Sequence, residues 1–96
     1  MIILEWDGFK REANILRHKI DFADLQEVFE SETAMYVDER FEYGEDRLRT
    51  LGLFLGDVIA IIHTETIVSG NSIIRIISAR RADKYEQKDY FKNIRD

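Results

Sequence analysis

The stretch Ile73-Ile74-Arg75-Ile76-Ile77-Ser78-Ala79-Arg80-Arg81-Ala82 decides how the chain is read. Its isoleucines are β-branched and apolar on both parities, which suits an interior strand covered on both faces. Arg75 interrupts the run. A guanidinium keeps its charge, so when partly buried it must meet a carboxylate, a carbonyl or a bound anion. A structural ion pair and a phosphate-facing role both fit.

Working outward, Arg47–Leu55 and Val58–His63 read as antiparallel partners joined by a Gly56-Asp57 turn, and Gly70-Asn71 turns the chain into the isoleucine strand. Thr33–Val37 reads as a further strand, and the charged run Asp38–Asp46 as a loop turned by Gly44. Towards the N-terminus, Ile2–Trp6 is a short first strand and Asp7 a good N-cap for a helix over Gly8–Lys19. There Phe9, Ala13, Leu16 and Ile20 follow the spacing of one buried stripe. Lys10, Asn14, Arg17 and His18 then lie on another side, as a solvated face or as the wall of a site. Asp21 caps a second helix, Phe22–Glu30, with Phe22, Leu25, Val28 and Phe29 inward; the short link makes a helical hairpin. Ala82–Ile94 is a weakly amphipathic last helix. Along it Arg81, Lys84, Lys88, Lys92 and Arg95 form a basic stripe, diluted by Asp83, Glu86 and Asp89. That stripe is either solvated or a contact for an RNA backbone. The expected fold is α+β: an antiparallel β-sheet with an N-terminal helical hairpin and a C-terminal helix, one domain over residues 1–96.

Composition bounds the function. At 96 residues and 45% hydrophobic content there is material for one small core. The chain has no cysteine, hence neither disulfides nor thiolate metal ligands, which fits a reducing cytoplasm. Glu5 and Asp7 follow Met1–Leu4 at once, so no membrane span or signal segment is expected. A net charge of −5 argues against a general nucleic-acid binder, but its distribution is uneven. Residues 21–46 hold ten acids and one base, whereas residues 71–96 hold seven bases and four acids. One surface can approach an anion while another docks a cationic partner.

The available chemistry is a set of arginines, lysines, histidines and carboxylates, without a phosphate-binding glycine loop or a zinc-like histidine pair. That inventory points away from a metal or cofactor. It suits attack of an RNA 2′-hydroxyl on the adjacent phosphate, with guanidinium groups stabilising the developing charge. It equally suits an inert salt-bridge network. His18, at a helix C-terminus whose dipole favours the charged form, is the acid–base candidate or else a cap. His63 reads as a satisfied sheet residue. Glu45 and Arg47 can orient each other or pair with Arg75.

Leu4-Glu5-Trp6-Asp7, Lys10, Asn14, His18, Asp21-Phe22, Val28-Phe29, Glu45 with Arg47, Gly52, and the block from Ile74 to Ala82 with Glu86 and Tyr90 together resemble the BrnT toxins over nearly the whole chain. The resemblance implies the toxin of a type II toxin–antitoxin system with a RelE-like fold. Such toxins cleave RNA and so block translation. It also implies a partner, a BrnA-like ribbon-helix-helix antitoxin, which neutralises the toxin and through which alone the pair reaches operator DNA. Carried over by position are Trp6, Lys10, Asn14, His18, Glu45, Arg47, Arg75, Ser78, Arg80 and Arg81, to which the motif gives no individual roles; from their chemistry Arg75 and Arg80 are expected to stabilise phosphate and His18 or Glu45 to carry the proton. Lys10, Asn14, Arg47, Arg81, Lys84 and Lys88 are expected to bind substrate. Lys19 stands where the family usually has glycine after the histidine. The competing expectation is a non-catalytic module that binds a protein or RNA.

Overall fold

The computed structural model describes residues 1–38 and 46–94. Five strands, β1 (Ile2–Trp6), β2 (Ala34–Val37), β3 (Leu48–Phe54), β4 (Asp57–Val68) and β5 (Asn71–Arg81), form one sheet in the order β1-β5-β4-β3-β2. Three helices accompany it: α1 (Gly8–His18), α2 (Gln26–Glu30) and α3 (Lys84–Ile94). The fold is α+β as expected, but the sheet is mixed. β1 runs parallel to β5, whereas the other pairings are antiparallel. β1 is followed by a helix rather than a hairpin turn, so the chain leaves the sheet there. The strand that later pairs with β1 runs in the same direction.

The N-terminal helical hairpin, expected from Gly8–Lys19 and Phe22–Glu30, is also corrected. After α1 come a single 3-10 turn, Phe22–Asp24, and the five-residue α2, separated at Leu25. Asp7 does cap α1, accepting from the Lys10 N–H at 3.0 Å, and Asp21 accepts from the Ala23 N–H at 3.0 Å. Both hairpin turns lie one residue earlier than expected. Leu55-Gly56 (φ 51° and 86°) and Ser69-Gly70 (φ 51° and 80°) supply the two successive positive φ angles that match the twist of an antiparallel pair.

Two cores sandwich the sheet. On one face Ile20, Phe22, Leu25 and Val28 pack on Ile59, Ile61, Ile74, Ile76 and Ala79. Fully burying a side chain such as Phe22 or Leu25 stabilises by about 1.5–3 kcal/mol. Gly52 lets α2 settle on this face, since a Cβ there would sit 2.5 Å from Val28 Cγ1. On the other face Tyr90 and Ala82 pack on Ala34, Leu51, Val58 and Ala60. The Tyr90 hydroxyl donates to the Glu32 carbonyl at 3.2 Å.

α1 is rotated relative to the expected stripe. Phe9 and Leu16 are 83% and 76% exposed, and the buried residue is Asn14. The reason lies at the edge of the sheet. β1 pairs with β5 only as far as Trp6 opposite Ile76, which leaves the next residues of β5 without a neighbouring strand. α1 takes that place. Asn14 Nδ2 donates to the Ala79 carbonyl at 3.0 Å, and Asn14 Oδ1 accepts from the Ala79 N–H at 3.0 Å. A side-chain amide thus makes both bonds that an adjoining strand would make, and its Nδ2 also donates to the Ile20 carbonyl at 2.9 Å. The bidentate pair of Arg11 with Asp21, at 2.7 and 2.8 Å, fixes the same rotation. Lys19 ends α1 in the left-handed region (φ 62°), where glycine is favoured, with its N–H on the Ile15 carbonyl. Among the described residues no helix is long and apolar enough to cross a membrane.

Candidate functional site

A β-bulge builds the site. Ser78 pairs with Ile62 and Ile76 with His63, so Ile77 is an extra residue on β5. Arg75 and Arg80, five apart, would point to opposite faces of a regular strand. The bulge reverses the alternation. Arg75, Ser78 and Arg80 lie opposite Thr64, Ile62 and Ala60, which alternate without interruption on β4, so all three share the face that carries α3. Arg49 joins them, opposite Ile62.

Beside the bulge a cavity of about 190 Å³ opens between α1 and β5, lined by Lys10, Ala13, Asn14, Arg17, His18, Ile77 and Ser78. Lys10, Asn14 and His18 do therefore line one concavity. The roles differ from those expected. Asn14 commits its amide to the backbone bonds above and positions the wall. His18 is half-buried; burial first, then the charges of Arg17 and Arg80, push its imidazole below the usual value. The helix dipole is overridden, and the ring is neutral at physiological pH.

Arg75 is exposed, contrary to the partly buried position expected, beside Glu5 in register. Arg80 is held. Its Nη1 and Nη2 donate to the two oxygens of Glu86 at 2.7 and 3.0 Å, and Arg49 Nη1 adds a third bond at 2.9 Å. Arg49 also lies 5.2 Å from the Tyr36 ring. Glu86 is only 3% exposed. Burial raises its carboxyl, but the hydrogen bonds from Arg80 and the Asp83 N–H, with the charges of Arg80 and Arg49, hold it at about 2. The arrangement is a capping box: Asp83 N–H donates to Glu86 at 2.9 Å and Glu86 N–H to Asp83 at 2.8 Å. The start of α3 is thereby tied to β5. With Asp83 included, two guanidiniums face two carboxylates in this cluster, and Arg80 keeps a quarter of its side chain exposed (25%).

The remaining candidates are dispersed. Arg47 is half-buried just before β3 and shares the parity of Arg49. Arg81 points to the opposite face from Arg80 and pairs with Asp57 at 3.4 Å. Lys84 and Lys88 lie on the outer side of α3 with Gln87, Phe91 and Lys92 along a shallow groove. Glu45 and Arg95 lie outside the described residues. Arg49 was not named from sequence, and Glu86 only as a diluent of the basic stripe and as part of the resemblance, although Asp83-Lys84-Tyr85-Glu86 carries the capping-box spacing. His63 is buried among packed groups: its Nε2 is 2.7 Å from Thr50 Oγ1, and Phe29 meets its ring edge-on at 5.1 Å. No cluster of three or more metal-ligating side chains occurs among the described residues.

Acid should loosen this framework in two windows. Burial depresses the His63 imidazole below its ordinary 6.5, so the unfolded chain binds that proton more readily and stability falls as the pH drops past 6.5. Glu86 binds its proton at about 2 in the folded chain against 4.5 ordinarily. Its contribution is complete above 4.5 and disappears as the pH falls towards 2. Unfolding midpoints measured from pH 7 to 3 should decline in both windows. Glu86→Gln should flatten the lower one only partly, because Asp21, held at about 2 by Arg11, titrates there too.

No curated protein matches the chain in a sequence comparison. Residues 6–86 match the family model described as the ribonuclease toxin BrnT of type II toxin–antitoxin systems. The match begins at Trp6, where β1 ends, and closes at Glu86, the carboxylate of the arginine clamp. It includes every residue that lines the cavity, and the chain belongs to the BrnT family of ribonuclease toxins.

Proposed function

We propose that the chain is a metal-independent endoribonuclease toxin, a single cytoplasmic domain of RelE-like architecture. In this reading RNA lies across the α3 face of the sheet, with its scissile phosphate at the rim of the cavity between α1 and β5. The observation that carries the reading is the bulge at Ile77, which sets Arg75, Ser78 and Arg80 on one face, with Ser78 lining the cavity together with His18. Neutral His18 takes the proton of the 2′-hydroxyl. The 2′-oxygen bonds to phosphorus, the bond to the 5′-oxygen breaks, and that oxygen takes a proton from solvent. Arg75 and Arg80 stabilise the charge gathering on the non-bridging oxygens, and Lys10 and Arg17 hold the flanking phosphates. Arg49 and Glu86 are positioning residues that fix the Arg80 guanidinium. The family implies an antitoxin partner; on the resemblance it is a BrnA-like ribbon-helix-helix protein.

Inducible expression is the first test. Wild-type chain should arrest growth with loss of cellular RNA. Arg75→Ala should relieve the arrest, because the residue is exposed and its loss leaves the core intact. Oxyanion-type donors contribute on the order of 10²–10³ to the rate. Arrest of equal strength by wild type and variant would reject the role of Arg75. A second reading, RNA binding without cleavage, draws on the α3 groove with its lysines and Phe91. It calls for intact RNA at any protein concentration.

A further inference from the structure

We infer that the outer stripe of α1, Phe9, Ala13 and Leu16, is the docking surface for the antitoxin, and that the segment it receives is an amphipathic helix with an acidic border. The inference rests on the reading of the cavity as the RNA site. Isolated exposed apolar residues are ordinary, but here two large ones, 83% and 76% exposed, stand with Ala13 at i, i+4 and i+7 along one helix. That is the ridge into which a second helix packs. Around the helix, successive positions step by about 100°. On one side the stripe is bordered first by Arg17 and Lys10, and beyond them by Asn14 and His18. Lys10 and Arg17 also line the cavity. A partner helix laid along the stripe therefore has basic groups on the border nearest the candidate active site. Acidic side chains there would complete the contact and at the same time close the entrance to RNA. The same charges disfavour an antiparallel second copy, since that two-fold arrangement brings Lys10 and Arg17 of both copies together and sets Glu12, on the other border of the stripe, against its own counterpart.

The test uses the full chain with the product of the reading frame adjoining its gene. Titration calorimetry should show binding that weakens with salt. Phe9→Ser with Leu16→Ser should raise Kd by at least about 30-fold, the scale of a lost pair of hot-spot contacts. Both positions are exposed, so the fold, RNA cleavage and growth arrest should persist, while co-expressed antitoxin no longer relieves the arrest. Arg75→Ala should do the reverse, losing cleavage and keeping the affinity. Should wild type bind through the stripe yet leave RNA intact, the nuclease reading fails and the docking surface stands. The inference is overturned by an unchanged Kd in the double variant, or by no binding of wild type. It is also overturned if the double variant dissolves a dimer of the wild-type chain, or loses RNA cleavage with antitoxin binding intact.

Discussion

Asn14→Leu should cost the protein roughly 3–5 kcal/mol, enough to remove a large part of the stability of a small domain. Leucine has the branching and heavy-atom count of asparagine, though it is bulkier, and would suit a buried site by hydrophobicity alone. The expected loss comes from the backbone. Three groups, the Ile20 carbonyl and both the N–H and the carbonyl of Ala79, are satisfied by this one amide. Each buried polar group left without a partner costs about 1–3 kcal/mol. Asn14→Asp tests the directionality of the contact. A carboxylate still accepts from the Ala79 N–H but repels the two carbonyls, so it should be no better than leucine at neutral pH. Urea unfolding with unchanged slope and a much lower midpoint is the expected result. If the Leu variant unfolds within about 0.5 kcal/mol of wild type, the range typical of an inconsequential surface change, the ladder-like role of Asn14 is wrong.

His18→Ala should lower the rate of RNA cleavage by on the order of 10²–10⁴, the usual contribution of a positioned general base. The accompanying pH dependence is more diagnostic than the loss itself. The base must be neutral to act. Its pKa is depressed below 6.5 by burial, Arg17 and Arg80, so the rate should rise with pH along a limb centred below 6.5. In His18→Gln the limb should vanish. In Arg80→Lys, with a cation retained but the clamp to Glu86 weakened, the limb should persist at a lower plateau. A limb that survives in His18→Gln would assign the proton transfer to another group.

The strands and the first helix were legible because hydrophobic parity and capping are local signals. Asp7 before Gly8, Asp21 before Phe22 and the isoleucines of β5 each announce their elements within a few residues. What was hidden depends on distant partners. Phe9, Ala13 and Leu16 have the spacing of a buried stripe, yet α1 faces the sheet with Asn14. The free edge of β5 beyond Trp6 needs two hydrogen bonds more than it needs another apolar contact. The parallel pairing of β1 likewise has no local sign. Nor does the bulge at Ile77, although it decides that Arg75 and Arg80 share a face. By contrast, Asp83 and Glu86 could have been read as a capping box; treating them as diluents of a basic stripe missed the carboxylate that fixes Arg80.

The most direct test of the RNA site is an amide chemical-shift titration of the full chain with an oligonucleotide whose 2′-deoxy sugars prevent cleavage. Expected are the largest shifts at Ile77 to Arg80 and along Lys10 to His18, with smaller ones at Arg49 and Arg75. Shifts confined to Lys84 to Lys92, or to the β2 edge, would contradict a site between α1 and β5.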